Sequence, residues 1–132
     1  MGLLAHPMTP AWVLALAVCL TQFDVTAAAV ALPAIRSELG FTLAATAWVM
    51  DAYSLAFAGT LFAAGALADR FGRRRILLLG NAGFALASLA CGLAWDGPSL
   101  WLARAAQGAM SALFITGALA TTSLRYPVSA AD

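Results

Sequence analysis

Four stretches of about twenty predominantly apolar residues govern what this chain can become, because that is the length a helix needs to cross the hydrocarbon core of a bilayer. They cover residues 11–34, 43–68, 76–95 and 99–119 of a 132-residue sequence, with turn or charge signals between them. Composition agrees with a lipid-facing chain. Hydrophobic residues make up 63% of the sequence, charged residues 10%, and the mean hydropathy is +0.89, well outside the range of a soluble domain. The expected fold class is an all-α membrane protein of four transmembrane helices within residues 1–132. The lipid bilayer is then its first partner. A net charge of +1 is too small to draw nucleic acid, so what matters is where each charge lies.

The breaks fix the orientation. Arg36-Ser37-Glu38-Leu39-Gly40 is short and polar, and Pro33 before it cannot continue a regular hydrogen-bond ladder, so a tight turn is expected after the first span. Asp69-Arg70-Phe71-Gly72-Arg73-Arg74-Arg75 concentrates positive charge, whereas Asp96-Gly97-Pro98 has none and places proline near the start of the fourth helix. Under the positive-inside rule the arginine-rich break is cytoplasmic, together with both termini and Arg125, leaving Arg36 in an outer loop. The expected location is the cell (inner) membrane, multi-pass. The alternative of a cleaved signal peptide ending near Ala27, Ala28 and Ala29 fits poorly, because no basic residue precedes the run and the run contains an aspartate.

A charge inside a span costs several kcal/mol unless it is paired or wet, so intramembrane acids and bases are functional candidates. Three qualify: Asp24, Asp51 and Arg104. Counting about 1.5 Å of rise per residue puts Asp24 some 20 Å above the cytoplasmic face, and Asp51 and Arg104 roughly 8 to 12 Å below the outer face. In a core about 30 Å thick these levels coincide. Arg104, Gln107, Gly108 and Ser111 recur at helical spacing, so the stripe should face an interior cavity. Asp51, Ser54, Leu55, Ala58 and Gly59 are read as a similar narrow face on the second span, and Gly83, Ala87 and Cys91 as a small-residue stripe on the third. A structural salt bridge would use Arg104 and one aspartate. The second aspartate would then be left to hold a proton near neutral pH. Asp24 or Asp51 is accordingly expected to exchange protons, with Arg104 modulating its affinity. Cys19 and Cys91 read as two buried thiols acting as small hydrophobes and too far apart in depth for a disulfide. His6 reads as a solvated side chain, and Trp12, Trp48, Trp95 and Trp101 as interfacial anchors. No metal-ligand cluster, activated nucleophile or phosphate-binding loop is visible, so neither an enzyme nor a cofactor is expected, protons being the coupling ion.

Four blocks resemble the N-terminal part of a major facilitator superfamily transporter, most closely the fourteen-span drug:proton antiporter branch. Gly65-Ala66-Leu67-Ala68-Asp69-Arg70-Phe71-Gly72-Arg73-Arg74-Arg75 resembles the signature loop between spans two and three. Asp24-Val25-Thr26 followed by Val30-Ala31-Leu32-Pro33 is similar to the first-span motif, with Ala29 where an asparagine is common. Trp48-Val49-Met50-Asp51-Ala52-Tyr53-Ser54-Leu55 resembles the second-span motif, and Arg104-Ala105-Ala106-Gln107-Gly108 the fourth-span motif. The resemblance implies that the four spans begin a six-helix N-terminal bundle and that the remainder of the transporter is a partner. It also implies proton transfer at Arg104, and a conformational latch at Gly65, Asp69, Arg70, Gly72 and Arg73.

The expected function is proton-coupled export, by antiport, of small molecules or drugs, present here as a fragment. Three other readings fit parts of the sequence. One is a truncated remnant that inserts and binds other membrane proteins without transporting. The others are a four-span multidrug antiporter working as a dimer, and a nutrient importer sharing the signature loop but not Asp51 in its second-span setting.

Overall fold

The computed structural model describes residues 9–123; His6, Arg125 and the polar tail at 128–132 lie outside the described residues. Four α-helices follow one another: α1 (Thr9–Leu39), α2 (Leu43–Phe71), α3 (Arg73–Gly92) and α4 (Gly97–Ser123). α1, α2 and α3 are each long and apolar enough to cross a membrane. α4 has the length, at 27 residues, but Arg104, Gln107 and Ser111 make it less apolar, and all three are buried.

The helix ends correct the sequence reading in two places. α1 does not stop at Pro33 but runs through it to Leu39, because an interior proline removes a single N–H from the ladder and need not end it. The turn comes at Gly40, whose φ of 64° allows the Phe41 N–H to reach back to the Arg36 carbonyl at 3.1 Å, closing α1 with a left-handed cap. Thr42 then starts α2, its hydroxyl accepting from the Ala45 N–H at 3.2 Å. The arginine cluster is the second difference. Arg73, Arg74 and Arg75 form the first turn of α3 rather than a loop, and only Gly72 separates it from α2. At φ 96° and ψ 129°, Gly72 holds a conformation open to a residue without Cβ. Its N–H bonds the Ala68 carbonyl and its own carbonyl accepts from Ile76, both at 3.1 Å. Two helices are thereby hinged about one residue.

α4 is the central element. α2 and α3 pack along most of its length, α1 meets it over a shorter stretch, and α2 touches α3 and α1 only slightly. Glycines set these distances. A methyl on Gly80 would strike the Phe114 backbone, one on Gly117 the Leu77 backbone, and one on Gly108 the Tyr53 carbonyl. Such contacts bring helix backbones together where lipid supplies no hydrophobic drive. Ala17, Phe114 and Ala118 form the apolar core, flanked by Val13, Leu14 and Leu77. On the outside, large apolar side chains such as Phe23, Val30, Phe62 and Leu93 are exposed, as lipid-facing or helix-facing surface must be.

Asp96 caps α4 from the turn after α3. Its carboxylate accepts from the Ser99 N–H at 2.9 Å, and the Ser99 hydroxyl bonds back to the Asp96 carbonyl at 3.0 Å. Hydrogen bonding from the Ser99 side chain, and then from its backbone, holds the Asp96 carboxyl below the usual value. A depressed folded-state value means that the cap contributes fully above the unfolded carboxylate pKa and loses that contribution as pH falls through the folded one. Thermal unfolding between pH 6 and pH 3 should therefore show a steeper acid loss in the wild type than in Asp96→Asn, which keeps a cap but does not titrate.

Candidate functional site

The site grows from the polar stripe of α4. Arg104 is 3% exposed, and its guanidinium is addressed by three helices. Nη1 donates to Asp24 Oδ2 of α1 at 2.8 Å and to Gln107 Oε1, one turn on, at 2.8 Å; Nε donates to the Val49 carbonyl of α2 at 3.2 Å. Gln107 closes the ring by donating from Nε2 to the other Asp24 oxygen at 2.6 Å. Both carboxylate oxygens are thus held, one by a cation and one by an amide. α3 contributes Cys91, whose thiol donates to Gln107 Oε1 at 3.4 Å. Among the described residues, Arg104 Nη2 is buried with no acceptor.

Local helix geometry explains why these groups meet. Asp24 continues the face of α1 that carries Ala17 and Thr21, both buried, at spacings of four and three residues. On α2 the buried face is Thr46, Val49, Tyr53, Ala64 and Ala68. Tyr53 lies under Arg104, with the guanidinium carbon 4.6 Å from the ring centroid. Its hydroxyl donates to Ser111 of α4 at 2.9 Å.

The structure brings together Asp24, Arg104 and Gln107, with Gly108 and Ser111 beside them, but it does not bring in Asp51. That residue is exposed, because it lies two positions from Val49 and from Tyr53, or about 200° around the helix at 100° per residue. The whole face proposed from sequence, Asp51, Ser54, Leu55, Ala58 and Gly59, is exposed. The opposite face packs. The azimuth of Asp51, not its position along the helix, separates it from Arg104. Two participants were not anticipated. Tyr53 was noted only as part of a motif, although its position four residues from buried Val49 marks the same face. Cys91 was read as a buried hydrophobe, yet it is half-buried and bonded to Gln107, while Cys19 is exposed; both are free thiols.

At the other end of the bundle, Arg73 Nη2 lies 3.5 Å from Asp69 Oδ1 across Gly72, and Arg73 Nη1 donates to the Ala120 carbonyl of α4 at 3.0 Å. One side chain therefore ties the end of α2 and the start of α3 to the end of α4. Arg70 lies over the Phe71 ring at 5.5 Å. Gly65 is half-buried, with open space where a Cβ would point.

Comparison with known proteins sets this arrangement in context. The Major Facilitator Superfamily model matches residues 14–131. The chain is 46% identical over 101 residues to the puromycin resistance protein of Streptomyces alboniger, covering 76% of this chain and 20% of that protein. It is 50% identical over 94 residues to a cephamycin export protein of Amycolatopsis lactamdurans, covering 71% and 19%. With a multidrug efflux pump of Mycolicibacterium smegmatis it shares 42% identity over 115 residues, covering 84% and 23%. The chain spans about a fifth of the length of these relatives. An all-helical bundle of lipid-compatible helices, matched by the family model over nearly its whole length, belongs to the Major Facilitator Superfamily and is a multi-pass membrane protein.

Proposed function

We propose that these four helices are the opening spans of a proton-coupled exporter of small molecules, in which Asp24 carries the proton and Arg104 is its exchangeable countercharge. The observation that carries this reading is the ion pair at 2.8 Å between Arg104 and Asp24, 3% and 17% exposed, within a bundle of lipid-compatible helices. A charge there is tolerated because it is compensated. Protonating Asp24 removes the compensation, so Arg104 must find another partner, and deprotonating it draws Arg104 back. Proton occupancy is thereby tied to side-chain and helix position. Arg104 Nη2, still without an acceptor among the described residues, is the donor free to take a second one. The activities for which the relatives are named, antibiotic resistance, export and multidrug efflux, support outward movement of small molecules. α4 is the fourth crossing in this proposal, and both chain termini with the arginines of α3 face the cytoplasm.

The competing reading of the same pair is a structural bridge that only holds α1 against α4. Asp24→Asn separates the two, because it keeps hydrogen-bonding capacity while removing the proton site. In cells producing the complete gene product, drug efflux driven by a pH gradient is expected to fall at least tenfold in Asp24→Asn. Asp51→Asn, on the exposed face, should leave the Asp24 pair and the gradient dependence in place. Gradient-driven efflux persisting in Asp24→Asn rejects the assignment.

The hinge at Gly72 is assigned the latch. Asp69 is 72% exposed, so its bridge to Arg73 is worth well under about 1 kcal/mol to the folded chain. Asp69→Asn should therefore leave thermal stability nearly unchanged while slowing turnover several-fold. Unimpaired turnover would reduce the arginines to topological markers.

A further inference from the structure

We infer that Tyr53 is a positioning residue for Arg104: its ring is a fixed plate that stabilises the guanidinium when Asp24 no longer supplies a negative charge. The inference rests on the proton-carrying reading of Asp24 and adds the group that lets Arg104 survive the protonated half of that cycle.

The ring is restrained by its hydroxyl, by the fixed backbone that carries it and by an aromatic neighbour. Its hydroxyl donates to Ser111, which is fully buried. Its backbone carbonyl lies so close to Gly108 that no side chain fits there. Phe57, one turn on, stacks beside it with ring planes 7° apart and centroids 6.2 Å apart. Tyr53 is itself only 7% exposed. An aromatic face restrained in this way does not have to be organised when a cation arrives. Arg104 lies over that face at 4.6 Å, well within the distance at which a cation is attracted by the ring quadrupole.

Two of the three guanidinium nitrogens of Arg104 donate in the charged state, Nη1 to Asp24 and Gln107 and Nε to Val49, while Nη2 has no acceptor among the described residues. Protonation of Asp24 weakens the first of these. It leaves the ring untouched, because the ring engages the guanidinium through its face and not its edge. The attraction of that face also grows when the carboxylate no longer offsets the positive charge. Tyr53 therefore lowers the cost of the state in which Asp24 is neutral and Arg104 stands alone. The groups turned toward Asp24 are Arg104 and Gln107 of α4; Tyr53 reaches it through Arg104 from α2, and Cys91 through Gln107 from α3.

The test uses ring chemistry at constant shape. Tyr53→Phe keeps the negative face and loses the bond to Ser111. Pentafluorophenylalanine at position 53, introduced by stop-codon suppression, keeps the shape but reverses the quadrupole. In cells producing the complete gene product, the pH profile of gradient-driven efflux is expected to keep its midpoint in Tyr53→Phe. In the fluorinated protein it should move toward acid by about half to one pH unit, equivalent to about 0.7–1.4 kcal/mol, since the cation loses the attraction of the aromatic face. A second readout is independent of transport: in nanodiscs, the Arg104 Hε resonance should carry a ring-current shift in the wild type and in Tyr53→Phe, and lose it in Tyr53→Leu. Equal pH midpoints in the phenylalanine and pentafluorophenylalanine proteins would overturn the inference, as would an Arg104 resonance unaffected by Tyr53→Leu. Asp24→Asn run alongside separates the levels. If it abolishes the pH dependence while the two ring variants coincide, the proton reading stands and the plate falls. If the pH dependence survives Asp24→Asn, both fall together.

Discussion

Arg104→Leu is expected to cost the bundle about 3 kcal/mol or more, because removing one partner of a buried pair leaves the other uncompensated. Asp24, 17% exposed, would lose its counter-ion, and the Val49 carbonyl and Gln107 would lose the donor that joins them. Arg104→Lys should recover only part of this. A single ammonium on a flexible stem cannot reproduce a planar group that donates at once to α1, α2 and α4. The sign of the coupling is the sharper test. Asp24→Asn in the Arg104→Leu background removes the orphaned charge, so the double variant should be more stable than Arg104→Leu alone. Thermal unfolding in detergent or nanodiscs checks this, and simple additivity of the two losses would mean that the side chains do not meet as described.

Gly108→Ala is expected to destabilise by about 1–3 kcal/mol, the range for forcing extra volume into a packed contact. The obstacle is the Tyr53 carbonyl, a backbone atom, which cannot rotate away as a side chain would. α2 and α4 must move apart, and that movement stretches both bonds spanning them at the site, Arg104 to Val49 and Tyr53 to Ser111. Gly65→Ala supplies the comparison, since nothing stands within 4 Å of a Cβ there. It should be neutral, or stabilising by up to about 1 kcal/mol from helix propensity alone. The two alanines thus differ in sign although both replace helical glycines. Equal effects would remove the close approach of α2 to α4 from the account of the site.

What was legible in the sequence follows from what a bilayer hides. Element number and type were readable because a membrane-crossing helix must be about twenty apolar residues long, a requirement independent of packing. Counting residues set Asp24 and Arg104 at one level, and the two side chains do meet. The stripe of α4 was readable because its polar groups, Arg104, Gln107 and Ser111, contrast with apolar surroundings. The face of α2 was not readable in the same way. Its packed side, Val49, Tyr53, Ala64 and Ala68, is no more apolar than its outer side, where Leu55 and Phe62 are exposed, so periodicity carries little information about azimuth in such a helix. For this reason the sequence put Asp51 on the packed face, whereas it lies on the outer face of the described helices, and Tyr53 was passed over. The helix ends differ for another reason. Proline and a run of arginines are strong stop signals in water-soluble chains, but α1 absorbs Pro33 with the loss of one hydrogen bond. The long side chains at the start of α3 can reach polar surroundings without leaving the helix.

The way the bundle is joined distributes its compliance unevenly. α2 and α3 are pinned along α4 by glycine-spaced backbone contacts that tolerate little sliding, whereas α1 rests on α4 over a shorter stretch and, among the described residues, its backbone does not approach that of α3 closely. The hydrogen bonds joining α1 to α4 there both end on Asp24. A single carboxylate thus carries the polar attachment of the most loosely seated helix to a slab of three, and neutralising it would leave α1 held there by the apolar contact of Ala17 with Phe114 and Ala118.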